Sequence, residues 1–172
     1  ISEKYNEHTF FQQMPLKRAT KHYGDRAETG AFQEMQQLHL RNTFEPKYYK
    51  DLTSIERRSA LETHVLIKEK TDGNLKGRTV ADGRKQRGTI PEEDTVSPTI
   101  SLESVLLTGV VEAHEERDVC TLDIPNAFVQ SDMPEDDHVL MVLRGRIAEL
   151  LVLTAPSLYR QYITVVNGVP VL

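Results

Sequence analysis

The sequence contains a single cysteine and no tryptophan among its 172 residues. Cys120 alone cannot form an internal disulfide bond, and it excludes a zinc site built from several cysteines. A chain without disulfide bonds is typical of a reducing compartment, so we expect an intracellular location, in the cytoplasm or nucleus. No apolar run approaches the roughly 18 residues that a membrane span needs, so we expect no membrane partner.

What the chain does contain is a strongly uneven distribution of charge around a net value of −5. Between Lys68 and Arg87 there are seven basic and three acidic residues, a net charge of +4. Between Glu92 and Asp137 there are thirteen acidic residues and one basic residue, Arg117. This asymmetry indicates a phosphate-attracting element beside an acidic, metal-attracting one. The alternative is two ordinary solvated faces.

Hydrophobic periodicity and turn signals predict an α+β fold with antiparallel hairpins and packed helices. Residues 1–22 are predicted to be a polar leader. Helices are expected over residues 23–40, over residues 102–114 with a core-facing apolar side, and over residues 146–153 and 157–162. Strands are expected over 64–70 and 77–81 around an Asp-Gly turn, over 119–124 and 138–143, and as a hairpin over 163–172. The 119–124 strand is expected to pair with a strand of the last third.

Residues at and just beyond the end of the predicted 119–124 strand suggest polymerase chemistry. Asp123 stands at a strand end, where a carboxylate can hold magnesium, and the carbonyl of Ile124 can add a second oxygen. Phe128, five residues later, can pack under a nucleotide sugar and exclude a 2′-hydroxyl. The alternatives are an aspartate before a turn and an ordinary core phenylalanine.

The basic hairpin supplies the other half of this interpretation. Lys76 and Arg78 alternate along one strand and therefore face the same side, where two cations suit a triphosphate. Other cations of the same segment are expected to contact nucleic-acid phosphates: Lys68, Lys70, Arg84, Lys85 and Arg87. The alternative is a hairpin edge that charge protects from aggregation.

Three motifs in order resemble the reverse transcriptase of copia-type retrotransposons. They are Lys76–Gly83 (KGRTVADG), Glu93–Pro98 (EDTVSP) and Leu122–Phe128 (LDIPNAF). In that family the stretches resemble Lys-Ala-Arg-Leu-Val-Ala-Lys-Gly, Glu-Glu-Thr-Phe-Ser-Pro-Val and Met-Asp-Val-Lys-Thr-Ala-Phe-Leu. The resemblance covers residues 60–132 and extends more loosely to residue 172. Asp82 and Pro125 stand where the family usually has lysines.

The resemblance implies an RNA-directed DNA polymerase that uses Mg²⁺, an RNA or DNA template-primer and deoxynucleotides. Asp123 would be a catalytic metal ligand, Phe128 the sugar-sensing residue, and Lys76 and Arg78 the triphosphate grip. It implies a leader and helix over 1–59, fingers over 60–100 and part of a right-hand palm over 101–172.

The family's paired-aspartate motif does not occur in these 172 residues, and the adjacent pair Asp136 and Asp137 has a different context. We therefore expect a partial or truncated polymerase that associates with the rest of its polyprotein and is inactive alone. A non-catalytic nucleic-acid-binding remnant and a structural or interaction domain are the alternatives.

Overall fold

The computed structural model describes residues 13–86, 99–133 and 138–172. The chain divides into two compact units, the first comprising Ile1–Lys85 with Val129–Leu172 and the second Gln86–Phe128. The described helices and strands confirm the predicted α+β class. No helix in the described ranges is long and apolar enough to cross a membrane.

A four-stranded mixed sheet organises the first unit. Its central strand is β2 (Leu61–Glu69), which pairs antiparallel with β3 (Leu75–Ala81) along most of its length. The short strand β1 (Met14–Pro15) pairs antiparallel with β2 at Leu66 and Ile67, and β4 (Met141–Val142) pairs parallel with it at Leu61 and Glu62. The β2–β3 hairpin confirms the prediction from the Asp-Gly turn, in which Gly73 adopts a φ of 77°.

Helices cover one face of this sheet because β2 alternates strictly between buried and more exposed residues. Leu61, Thr63, Val65 and Ile67 are buried, whereas the residues between them are not. The helices α1 (Leu16–Tyr23) and α2 (Asp25–Leu40) contribute small and apolar side chains to the same core, which has one contiguous main cluster. Its members include Leu16, Ala19, Ala27, Ala31, Met35 and Leu38.

The predicted polar leader is therefore wrong from residue 14 onward. Leu16 and Ala19, one turn apart on α1, are 6 % and 0 % exposed, and they anchor an otherwise polar helix on the core. Two apolar residues one turn apart are too few to produce a clear periodic signal, which explains why the sequence pattern did not reveal the helix. Residues 1–12 lie outside the described part.

Helix α2 and the strand β3 approach each other unusually closely. A Cβ atom added to Gly77 would lie 2.6 Å from the Gly30 carbonyl oxygen and 2.9 Å from Glu34 Cβ. The Glu34 carboxylate accepts a 2.9 Å hydrogen bond from the Thr79 backbone N–H, which β2 does not use. Glycine at both contact positions and a carboxylate on the free strand edge thus fix the hairpin against the helix.

The C-terminal part follows the predicted pattern of helices and a hairpin. It contains α5 (Arg146–Thr154), α6 (Pro156–Tyr159), β5 (Thr164–Val166) and β6 (Val169–Val171), which turns at Asn167 and Gly168, both with positive φ. Tyr159 is 1 % exposed, and its hydroxyl lies 3.0 Å from His39 Nδ1 in a hydrogen bond that joins this part to α2. Short 3₁₀ helices at Tyr49–Asp51 and Gly83–Gln86 and helix α3 (Ser54–Ser59) complete the first unit.

In the second unit the structure confirms one prediction and contradicts two. Helix α4 (Leu102–His114) spans the predicted residues, and Ser101 caps its first turn, where its Oγ accepts a hydrogen bond from the Ser104 N–H. Its expected core face is wrong, because α4 has no buried residue and Leu106 and Val110 are 62 % and 66 % exposed.

The predicted strand over residues 119–124 is also wrong. Residues 117–124 form no regular element, and no described strand pairs with them. Leu122 is 88 % exposed, so the apolar run lacks the neighbouring strand and the burial that would hold it extended. The predicted 138–143 strand is present only as the two residues of β4.

Candidate nucleic-acid interface

The face of the β2–β3 hairpin opposite the core carries cations. The register places Lys68 directly across from Lys76, and Leu66 across from Arg78. Directly opposed residues share one face of a sheet, with Cβ atoms about 5 Å apart. Lys68, Lys76 and Arg78 therefore lie on one face of the hairpin. The spacing of Lys76 and Arg78 predicted this for those two residues.

Lys76 and Arg78 are both exposed, and neither side chain forms an ion pair or hydrogen bond with any residue in the described ranges. Glu69, the acid nearest to them on β2, lies on the other face and accepts a 3.1 Å hydrogen bond from the Tyr23 hydroxyl. Burial, followed by this hydrogen bond, raises the pKa of Tyr23. The acidic side chain is thus turned away from the cations.

The hairpin turn is rigid, although it is exposed. The Asp72 carboxylate accepts 3.0 Å hydrogen bonds from the backbone and side-chain N–H groups of Asn74, which lower its pKa. Arg26 on α2 donates a 2.6 Å hydrogen bond to the Gly73 carbonyl. Lys70 stands at this turn with its side chain exposed, and its backbone N–H donates to the Asn74 carbonyl. Lys70 therefore extends the cationic face toward the turn.

Arg84 and Lys85 lie at the opposite end of the hairpin, where internal contacts occupy both side chains. Arg84 forms an ion pair with Asp82, which holds the pKa of that carboxyl at about 2. Lys85 Nζ donates to the carbonyl oxygens of Arg58 (2.9 Å) and Ala60 (2.7 Å), at the end of α3. Their contact with nucleic acid remains a prediction, and Arg87 lies outside the described residues.

Asp123 and Ile124 belong to the second unit, in the irregular segment 117–124. Both are exposed, and Phe128 follows in a 3₁₀ helix, Ala127–Gln130. Within residues 13–86, 99–133 and 138–172, no three His, Cys, Asp or Glu side chains are grouped so that they can hold a metal ion. Asp123 and the Ile124 carbonyl would fill at most two of the six oxygen positions around Mg²⁺, and water or other residues would have to supply the rest.

Sequence reasoning missed a cationic cleft in the first unit. It has a volume of about 630 Å³ and lies where β1 and β4 leave the middle of one β2 edge uncovered. Its basic lining comes from Lys17 and Lys21 on α1, His64 on β2, and Arg144 and Arg146 at the start of α5. The signals in the sequence were two lysines at i and i+4 and an Arg-Gly-Arg triplet, both outside the motifs.

Ion pairs fix both arginines of this cleft. Arg146 binds Glu28 at 2.6 Å and Glu149 at 3.0 Å, and these carboxylates raise its pKa. Arg144 uses only its Nε, which lies 3.1 and 3.2 Å from the two Glu62 oxygens. The guanidinium groups are therefore positioned before any ligand arrives.

The hairpin of this α+β chain presents an exposed cationic face, which is typical of a protein that contacts phosphates. The second unit is acidic and contains no described strand. The profile of the family described as reverse transcriptase (RNA-dependent DNA polymerase) matches residues 48–146, more than half of the chain. The chain belongs to this reverse transcriptase family, as its three motifs predicted. No curated protein and no solved structure matches it.

Proposed function

We propose that this chain acts in RNA-directed DNA synthesis by a copia-type reverse transcriptase, as the part that binds phosphates of the incoming nucleotide and of the template-primer. The observation that carries the proposal is the exposed pair Lys76 and Arg78, unpartnered in the described ranges, on a hairpin inside the matched region. Residues 60–100 then correspond to the fingers and residues 101–172 to the first part of the palm. The remainder of the polyprotein is the expected partner, in the cytoplasm or nucleus.

Nucleic-acid binding through the hairpin tests this proposal. Lys76→Ala with Arg78→Ala should weaken the binding of a labelled single strand and reduce the slope of log affinity against log salt by about 1.4, since each lost phosphate contact on a single strand accounts for about 0.7. Arg18→Ala with Lys47→Ala removes the same charge from exposed positions away from the hairpin and serves as the matched control. If the hairpin variant binds with the affinity and salt slope of the wild type, the hairpin cations are solvated edge residues that do not contact nucleic acid.

Catalysis requires more than these residues provide. Reverse transcriptases typically use Mg²⁺, and by resemblance Asp123, with the Ile124 carbonyl, supplies part of one ligand set. The 172 residues contain no paired-aspartate motif of the Tyr/Phe-x-Asp-Asp type. We therefore expect no extension of a DNA primer on an RNA template by this chain alone.

The measurement is primer extension with Mg²⁺ and deoxynucleotides, comparing the chain with its Asp123→Asn variant. Asparagine keeps the shape of the side chain and removes its charge, so it separates chemistry from folding. Synthesis that depends on Asp123 would refute the expectation and would direct the search for further ligands to Asp118, Asp132 and the pair Asp136 and Asp137.

A second candidate function is a non-catalytic interaction domain. The observation that favours it is α4, on which Leu102, Leu106 and Val110 are all more than 60 % exposed. An apolar helix of this kind is typical of a surface that another protein segment covers. This candidate predicts that Lys76→Ala with Arg78→Ala binds nucleic acid with the same affinity and salt slope as the wild type, which the salt titration measures directly.

A further inference from the structure

The cleft between α1, β2 and the start of α5 has two chemically distinct parts. Its apolar lining, called the floor here, is formed by the exposed Pro15 and the half-buried Ile147, beside Leu16 and Val65, which are 6 % and 1 % exposed and contribute little surface. Its rim is formed by Lys17, Lys21, His64, Arg144 and Arg146. Glu28 is the one acidic residue that lines the cleft, and it is bound to Arg146. A ligand that fills the cleft therefore meets an apolar surface on one side and positive charge on the other.

Three of the rim cations have donors that no residue in the described ranges uses. The side chains of Lys17 and Lys21 are exposed and have neither an ion pair nor a hydrogen bond there. Arg144 binds Glu62 through Nε and leaves its two terminal nitrogens without such a contact. Lys17 and Lys21 are four residues apart on α1, so their side chains leave the same face of that helix.

These donors suit a phosphate group. Phosphate oxygens accept a forked pair of hydrogen bonds from a guanidinium and bind ammonium groups as point charges. An inorganic phosphate would use the rim and leave the apolar floor in contact with water. A volume of about 630 Å³ lies within the range of small-molecule sites, which are mostly apolar with a few polar groups that fix orientation.

We propose that this cleft binds a nucleotide unit, with the base against the floor at Pro15 and Ile147 and the phosphate held by Lys17, Lys21 and Arg144. The face of a base is flat and weakly polar, and its phosphate is anionic, so one nucleotide satisfies both parts of the cleft. Among the described residues, none of the cations assigned to the hairpin lines this cleft. The proposal therefore stands independently of the polymerase function.

The nucleotide is either free or part of a nucleic-acid strand, and the two sources share the same chemistry. Titration calorimetry of the 172-residue chain with thymidine monophosphate, thymidine and inorganic phosphate tests whether both parts are used. We expect the monophosphate to bind roughly ten-fold more tightly than either component, since each contributes one of the two contacts. Equal affinity for phosphate and the monophosphate would overturn the proposal.

Variants locate the binding. Lys17→Ala with Lys21→Ala should lower affinity for the monophosphate roughly ten-fold, because two charge-assisted contacts are lost. The control Arg18→Ala with Lys47→Ala removes the same charge outside the cleft, and Lys76→Ala with Arg78→Ala removes it from the hairpin. Both should retain wild-type affinity for the monophosphate. An equal loss of affinity in either control would mean that binding follows net charge, which would refute the assignment of the site to the cleft.

A labelled twelve-nucleotide thymidine strand distinguishes the two sources. If the source is a strand, it binds more tightly than the monophosphate and weakens in both the cleft and the hairpin variants. If the source is a free nucleotide, binding of the strand weakens in the hairpin variant alone, and the monophosphate does not displace the bound strand. Displacement of the monophosphate by polyglutamate, with the same dependence on Lys17 and Lys21, would identify an acidic-peptide site and refute the nucleotide assignment. Matching thermal unfolding curves for all variants exclude loss of fold.

Discussion

Replacing Gly77 by alanine should destabilise the hairpin that carries Lys76 and Arg78. The added Cβ would lie 2.6 Å from the Gly30 carbonyl oxygen, which is backbone inside α2 and cannot rotate away. Contacts this short force the helix and strand apart, and overpacking of this kind costs about 1–3 kcal/mol.

The assay is thermal or urea unfolding of the 172-residue chain. For a protein of this size, about 1–3 kcal/mol corresponds to a fall in Tm of roughly 3–9 °C. The shift should be larger than that of Gly30→Ala, whose Cβ would lie 3.2 Å from the Leu75 carbonyl oxygen and which gains about 1 kcal/mol in helix propensity.

Gly109→Ala provides the matched control. Gly109 lies inside α4 and has no atom within 4 Å of an added Cβ, so alanine should stabilise this helix by about 0.5–1 kcal/mol. The order of stability should be Gly109→Ala, then Gly30→Ala, then Gly77→Ala. A Gly77→Ala protein as stable as the wild type would show that α2 does not press on β3, and the account of how the hairpin is fixed would be wrong.

Two further predictions concern the edges of the same hairpin. Glu34→Ala should lower the free energy of unfolding by about 1–2 kcal/mol in chemical denaturation, because the Thr79 N–H loses its partner. Glu34→Gln should keep most of the wild-type stability, because its amide oxygen can still accept this hydrogen bond. Equal stability of the two variants would contradict the contact. The Asp82 carboxyl should titrate near pH 2 by NMR and move toward 3.8 in Arg84→Gln. Because folding lowers this pKa, the pair stabilises the protein above pH 3.8, and the contribution disappears as the pH falls through about 2. An Asp82 pKa that stays near 2 in Arg84→Gln would show that Arg84 does not cause the low value.

Local signals explain which elements the sequence predicted. The Asp-Gly turn at 72–73 and the Asn-Gly turn at 167–168 each specify positive φ and a hairpin register over a few residues, and both hairpins are present. The predicted helix over residues 102–114 is also present, and the Ser101 cap at its first turn is a local contact. Each of these features depends on neighbours within about four residues.

Features that depend on distant partners could not be predicted in this way. The contact between Gly30 and Gly77 joins residues in separate elements, and the local sequence around either glycine does not predict it. The apolar run 119–124 has the composition of a strand, but composition supplies no pairing partner, and the segment is irregular. The cleft is missed for the same reason, since Lys17 and Arg144 meet only because α1 and α5 pack beside one edge of β2.

The strand β2 connects the two cationic surfaces through its alternation. On its outward face Glu62 holds Arg144, His64 lines the cleft, and Lys68 stands opposite Lys76. On its inward face Val65 and Ile67 are each 1 % exposed. Because a shift of one residue would exchange the two faces, the burial of Val65 and Ile67 fixes the position of every outward side chain. The core therefore specifies which residues lie on the outward, cationic face, and loss of core packing under β2 should disturb the hairpin and the cleft together.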